Sequence, residues 1–266
     1  MKHKNTSWLL VAALAILGAQ ASWAADVVSS NIVGYQKVTL EKGWNMVGVQ
    51  FVRVGGEVKD LTDCFVLDES FAGYDDDYKF ATQMRIWNGD GYDFYGWAGT
   101  SGTEVDDDPS LDNTWTDLGA EAVTDVELPA NLGVWVNAEK GGVLTASGEV
   151  VLEDVTIDLA EGYNMVCNPF PQTVPVTSFG VLDSSFAGYD DDYKFATQMR
   201  VWNGDGYDFY GWAGTSGTEV DDDPSLDNTW TDLGAEATDA TIPYGTAVWI
   251  KAEKAGKITF KAPAKE

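Results

Sequence analysis

A block of 52 residues occurs twice in this chain, and the two copies differ at one position. Residues 71–122 read FAGYDDDYKFATQMRIWNGDGYDFYGWAGTSGTEVDDDPSLDNTWTDLGAEA, and residues 186–237 repeat them with Val201 in place of Ile86. A duplication this close constrains the fold strongly, because whatever one copy builds the other can build too. It continues beyond the block at lower similarity. Residues 38–47 (VTLEKGWNMV) answer 157–166 (IDLAEGYNMV), and residues 133–140 (GVWVNAEK) answer 247–254 (AVWIKAEK). The repeating unit is about 115 residues, the length of an independent domain rather than of a solenoid repeat. The expected division is a leader at 1–24, one β-domain at 25–149 and a second at 150–266.

Within each unit the pattern is that of strands. Residues 33–40 and 44–51 alternate apolar and polar around a turn-like Glu41-Lys42-Gly43. Residues 132–138 look like a well-buried strand, and Gly141-Gly142 turns into 143–146. Repeat 2 closes the same way at 246–252 and 257–260. Short strands punctuated by Gly and Pro predict an all-β fold, two tandem sandwiches or barrel-like domains.

The duplicated block centres on a hairpin, residues 81–87 and 92–97 around Asn88-Gly89-Asp90-Gly91. A three-residue loop would pair Ile86 with Phe94 and Met84 with Gly96 on a core face. Trp87, Tyr95 and Trp97 would then share the other face with Gln83, Arg85 and Asp93. A shift of one residue would scramble that assignment.

The N-terminus has the form of a secretory signal: Lys2, His3 and Lys4, an apolar run over 8–18, then small residues permitting cleavage after Ala24 or after Ala21. No Cys follows the run, which argues against a lipid anchor. No later stretch approaches the ~20 apolar residues of a membrane helix. The expectation is a secreted or surface-attached protein without a membrane span. Cleavage at Ala24 leaves 14 basic against 43 acidic residues, a net −29. Nucleic acid is excluded as a partner, since phosphate binding needs clustered Lys and Arg. His3 is the only histidine, so Ser-His-Asp, Cys-His and His-ligated metal chemistry are excluded too. Cys64 and Cys167 occupy non-equivalent positions, Cys167 matching Gly48, and either a disulfide or two separate thiols would fit.

Several short motifs resemble a domain type of exported bacterial proteins. They are a GWN-type strand followed by NPFP at 162–171, WNGxGY at 202–207, PxGxAxWVKA at 243–252 and ITF at 258–260. In the first copy Gly48-Val49-Gln50-Phe51 replaces the NPF element, and residues 128–133 replace the Pro-Tyr-Gly turn. The opening SSNIVGY at 29–35 is similar to secreted proteins of the Verrucomicrobia–Lentisphaerae–Planctomycetes group. The resemblance implies an extracellular β-module and carries no catalytic residues with it.

Two kinds of candidate site stand out. Asp106, Asp108 and Asp112, with Asp221, Asp223 and Asp227 in the second copy, are clustered oxygen donors suited to Ca²⁺, unless they are simply solvated acidic loops. Trp87, Tyr95 and Trp97, with Trp202, Tyr210 and Trp212, could form twin sugar-stacking platforms, unless a second sheet covers those rings. Glycosidase chemistry has no specific signal, because Asp is abundant enough to satisfy any carboxylate spacing by chance. The sequence therefore points to a non-catalytic surface or extracellular-matrix protein acting in adhesion or self-assembly, with Ca²⁺ as a candidate cofactor. Its partners would be an extracellular glycan, a surface protein or another copy of itself. The alternative is a Ca²⁺-assisted carbohydrate-binding protein.

Overall fold

The apolar alternation folds as strands in the computed structural model, which describes residues 33–48, 50–52, 61–73, 81–99, 109–117, 123, 126, 131, 133–188, 196–215, 224–233 and 238–263. The leader, Asp106, Asp108, Asp221 and Asp223 lie outside the described residues. Repeat 1 supplies β1 (Val33–Leu40), β2 (Gly43–Gly48), β3 (Phe51–Val52), a single helical turn α1 (Leu61–Cys64), β4 (Phe65–Leu67), β5 (Gln83–Trp87), β6 (Tyr92–Trp97), β7 (Trp115–Thr116), β8 (Gly133–Ala138) and β9 (Gly142–Val150). Repeat 2 supplies β10 (Val155–Leu159), β11 (Gly162–Cys167), β12 (Val174–Pro175), β13 (Val181–Leu182) and β14 (Gln198–Trp202). It closes with β15 (Tyr207–Trp212), β16 (Trp230–Thr231), β17 (Thr241–Ile242), β18 (Ala247–Ala252) and β19 (Gly256–Phe260).

Each repeat is an antiparallel sandwich, so the all-β, tandem reading holds. The large sheet of repeat 1 runs β2-β8-β5-β6-β7, opposite a smaller sheet of β1-β9-β3 in which β4 also pairs β9. Repeat 2 matches it with β11-β18-β14-β15-β16 opposite β10-β19-β13. The Gly-aromatic-Asn sequence carries the chain from one layer to the next. Gly43 sits at φ 96°, a conformation open to glycine at little cost. The Asn45 side chain then closes the turn, accepting the Glu41 N–H at 2.9 Å and donating to the Glu41 carbonyl at 2.8 Å. Asn164 repeats both bonds with Ala160.

Alternation puts Val47, Met84, Ile86, Trp97, Trp115, Val134 and Val136 on one face of the large sheet, against Leu40, Phe65, Leu67 and Leu144 of the small one. The equivalent residues of repeat 2 form a second core of the same kind. Trp97 and Trp212 are 0 % and 1 % exposed. They meet Trp115 and Trp230 edge-on at 5.3 Å. Those partners donate their indole N–H to the carbonyls of Phe65 and Phe179, both at 2.8 Å. Cys167 is a fully buried thiol, and the Cys64 side chain lies outside the described residues.

The central hairpin differs from the sequence expectation by one residue. Trp87 pairs with Tyr92, Arg85 with Phe94 and Met84 with Tyr95, and β14 pairs β15 in the same register. The connection is four residues long because Asn88 belongs to the turn. Its Oδ1 accepts the N–H groups of Asp90 and Gly91 at 3.2 and 2.8 Å, and its Nδ2 donates to Asp93 at 3.0 Å. A one-residue shift sends the whole side-chain set of β6 to the opposite face. Tyr95 and Trp97 therefore turn toward the core with Met84 and Ile86. Arg85, Trp87, Tyr92 and Phe94 share the outer face.

Candidate functional site

That outer face is too aromatic to be left in water. By register it carries Trp44 and Met46 of β2, Trp135 of β8, Arg85 and Trp87 of β5, and Tyr92 and Phe94 of β6. The two large sheets bury these faces against each other. Met46, Trp135, Met165, Cys167, Ala247 and Trp249 form a third apolar core there, with Trp44, Trp87, Tyr92, Trp202 and Tyr207 packed around it.

The contacts across this seam come in reciprocal pairs. Trp87 donates its indole N–H to the Tyr163 carbonyl at 3.1 Å, and Trp202 donates to the Trp44 carbonyl at 2.9 Å. Trp87 meets Trp249 edge-on at 5.4 Å, and Trp202 meets Trp135 at the same distance. The Gly48 N–H donates to the Gly245 carbonyl at 2.8 Å, and the Cys167 N–H to the Asn131 carbonyl at 3.1 Å. Asn131 and Gly245 share the left-handed conformation, φ 75° and 76°, which Asn tolerates better than most residues. Contact of residue i with j, matched by equivalent j with i, is the mark of an isologous interface. The chain is an intramolecular pseudo-dimer.

Perfect symmetry fails where equivalent residues would collide with themselves. A Cβ added at Gly48 would lie 2.5 Å from the Cβ of Cys167, and one at Gly133 would lie 2.5 Å from the Cβ of Ala247. One member of each equivalent pair is therefore glycine. The first copy's departure from the NPF element also sits at the seam. Gln50 is 1 % exposed and donates Nε2 across the seam to the carbonyls of Asn168 and Phe170, at 3.1 and 3.0 Å.

The sequence-derived platform residues are split by this arrangement. Trp87 and Trp202 line the seam, Trp97 and Trp212 lie in the two sandwich cores, and Tyr95 and Tyr210 pack against those cores. No Trp87–Tyr95–Trp97 surface forms, because the four-residue turn places Trp87 opposite Tyr92. Of the aspartates, Asp112 and Asp227 follow the 3-10 turns Pro109–Leu111 and Pro224–Leu226. Among the described residues no group of three or more His, Cys, Asp or Glu converges.

What the seam does leave is a pocket of about 250 Å³ lined by Trp44, Arg85, Tyr92, Trp135, Trp202 and Tyr207, residues of both repeats. No protein-family model, curated protein or solved structure matches the chain. The pocket has to be understood from its own chemistry. The Arg85 guanidinium lies over the Trp44 ring at 4.3 Å and the Phe94 ring at 4.9 Å, so aromatic rings flank it. The Trp135 indole lies beside the Tyr92 hydroxyl, and the Trp249 indole beside that of Tyr207. Each phenol carries an O–H that can donate.

Sequence reading missed Trp44, Arg85, Tyr92, Trp135 and Tyr207 as site residues. A signal for the seam was present: Val134-Trp135-Val136 is apolar on consecutive positions, which in a strand means burial on both faces.

Burial pushes the Tyr92 and Tyr207 hydroxyls above the ordinary tyrosine range, although the neighbouring indole and arginine of each favour the phenolate. Tyr95 and Tyr210 are raised by burial as well. A pKa raised in the folded state gives stability that is complete below the unfolded value and lost as pH rises through the folded one. The urea midpoint should stay level toward alkaline pH and fall above about pH 10. The double variant Tyr92→Phe, Tyr207→Phe should shrink that fall. A midpoint indifferent to pH across the tyrosine range would contradict this account of the seam.

Proposed function

We propose that the chain is a non-catalytic, exported recognition module that acts in adhesion at the cell surface or in extracellular matrix. One observation carries the reading: among the described residues, the pocket between the repeats is lined by aromatic rings, phenol hydroxyls and an arginine. Such a lining offers stacking surfaces and hydrogen-bond donors, and among the described residues it holds no carboxylate, thiol or imidazole to act as nucleophile or general base near neutral pH. Export rests on the N-terminal pattern, and Ca²⁺ dependence on the aspartate clusters ending in Asp112 and Asp227. The same pocket favours carbohydrate binding as the mode of adhesion, because ring faces pack against the C–H faces of sugars.

The mature chain should co-sediment with cells or matrix of the producing bacterium, or with itself. Addition of millimolar Ca²⁺, the range of extracellular sites, should strengthen that association. Size-exclusion chromatography and pelleting, each with and without Ca²⁺, make the measurement. A strict monomer that associates with none of these would overturn the proposal.

A further inference from the structure

The geometry points to the pocket between the repeats as a binding site for the carboxylate-bearing ring of an acidic glycan. The inference rests on the recognition reading above and names its ligand class.

The chain has 43 acidic residues, yet the facing surfaces of the two large sheets are a cationic exception. The seam-side register positions of β2, β5, β6 and β8, and of β11, β14, β15 and β18, hold no Asp or Glu. The charged residues at those positions are Arg85, Arg200 and Lys251. Asp93, the acidic residue of β6, belongs to the other face and is engaged by Asn88. An anion entering the pocket therefore meets a locally positive, aromatic wall in a protein whose overall charge is negative.

The donor pattern favours a carboxylate. Rings flank the guanidinium of Arg85, so its edge is what it can offer, and that edge is a planar fork matching two carboxylate oxygens. Its Nε is buried, so the fork it can turn to a ligand is the pair of terminal amino groups. Tyr92 and Tyr207 add two O–H groups to the lining. The Trp202 indole N–H is used on the Trp44 carbonyl, which leaves its ring as a wall rather than a donor. A ligand suited to this lining is rich in acceptors and has apolar faces. A uronate-type sugar ring has both. At about 250 Å³ the pocket is smaller than the ~300–1,000 Å³ that houses drug-sized ligands, which suits one ring with the rest of the polymer running outward. Arg200 repeats the stacked arrangement on Tyr163 and Phe209, at 5.0 and 5.2 Å.

The test is calorimetric titration of the mature chain with trigalacturonate, with its methyl ester, which keeps the rings and loses the charge, and with acetate. Arg85→Gln and Arg85→Lys are titrated in parallel, and their thermal midpoints are recorded. Trigalacturonate should bind at least tenfold more tightly than the ester or acetate. Arg85→Gln should lose tenfold or more at an unchanged midpoint, and Arg85→Lys should fall between. If Arg85→Gln does not fold, the acid–ester comparison on the wild type decides by itself. Equal binding of acid and ester, binding indifferent to Arg85→Gln, acetate matching trigalacturonate, or no binding of the acid would each overturn the assignment. The same preparation is assayed for co-sedimentation with cells and matrix. Adhesion that persists while trigalacturonate fails to bind sinks the ligand and spares the recognition reading, whereas loss of adhesion with trigalacturonate still bound does the reverse.

Discussion

Replacing Trp97 or Trp212 by Ala should lower stability by about 3–5 kcal/mol each, the usual cost of removing a fully buried large aromatic side chain. Both rings are essentially inaccessible, and each would leave a void beside a second tryptophan 5.3 Å away. The two sites lie in different sandwich cores and share no packing partners, so their costs should add to within about 0.5 kcal/mol. Urea unfolding of the two single variants and the double variant gives the numbers. Stabilities close to wild type would mean that these rings face solvent and would refute the observed packing.

The second large effect is expected at the pseudo-two-fold axis. Gly48→Cys alone forces a side chain into the space of Cys167 and should cost about 1–3 kcal/mol, the range for overpacking a well-filled core. Cys167→Gly alone empties that space and frees the backbone, and should also destabilise. The combined variant exchanges the two residues between the repeats. It should recover most of both losses, because the pair still places one sulfur and one glycine on the axis. A double-mutant cycle under reducing conditions measures the coupling. Strictly additive costs would show that these positions do not meet across the seam, and the pseudo-dimer would have to be redrawn.

Much of the fold is legible in the sequence because strand alternation is a local property. The first strand, Val33–Leu40, needs only its own residues to be recognised, and the Gly-Trp-Asn turn needs only five. The hairpin register was not legible to the same degree. It depends on whether the Asn88 side chain caps the turn, and a one-residue difference in loop length exchanges the two faces. The candidate site was least legible. Trp44, Arg85 and Trp135 belong to three strands of one repeat, and Trp202 and Tyr207 to two of the other. Their convergence depends on which sheet faces which, and periodicity along one strand does not encode that.

By itself the sequence determined that the chain is all-β, that it is built twice, and that the near-identical blocks are acidic and aromatic. Those are consequences of residue type and spacing. Only the tertiary structure decided that the two copies turn their aromatic faces toward each other. The physical reason is that a sheet face carrying Trp87, Tyr92, Trp135 and their neighbours has too much apolar area to remain hydrated. The surface available to bury it was its own duplicate, packed around an axis that admits a cysteine from one repeat and a glycine from the other.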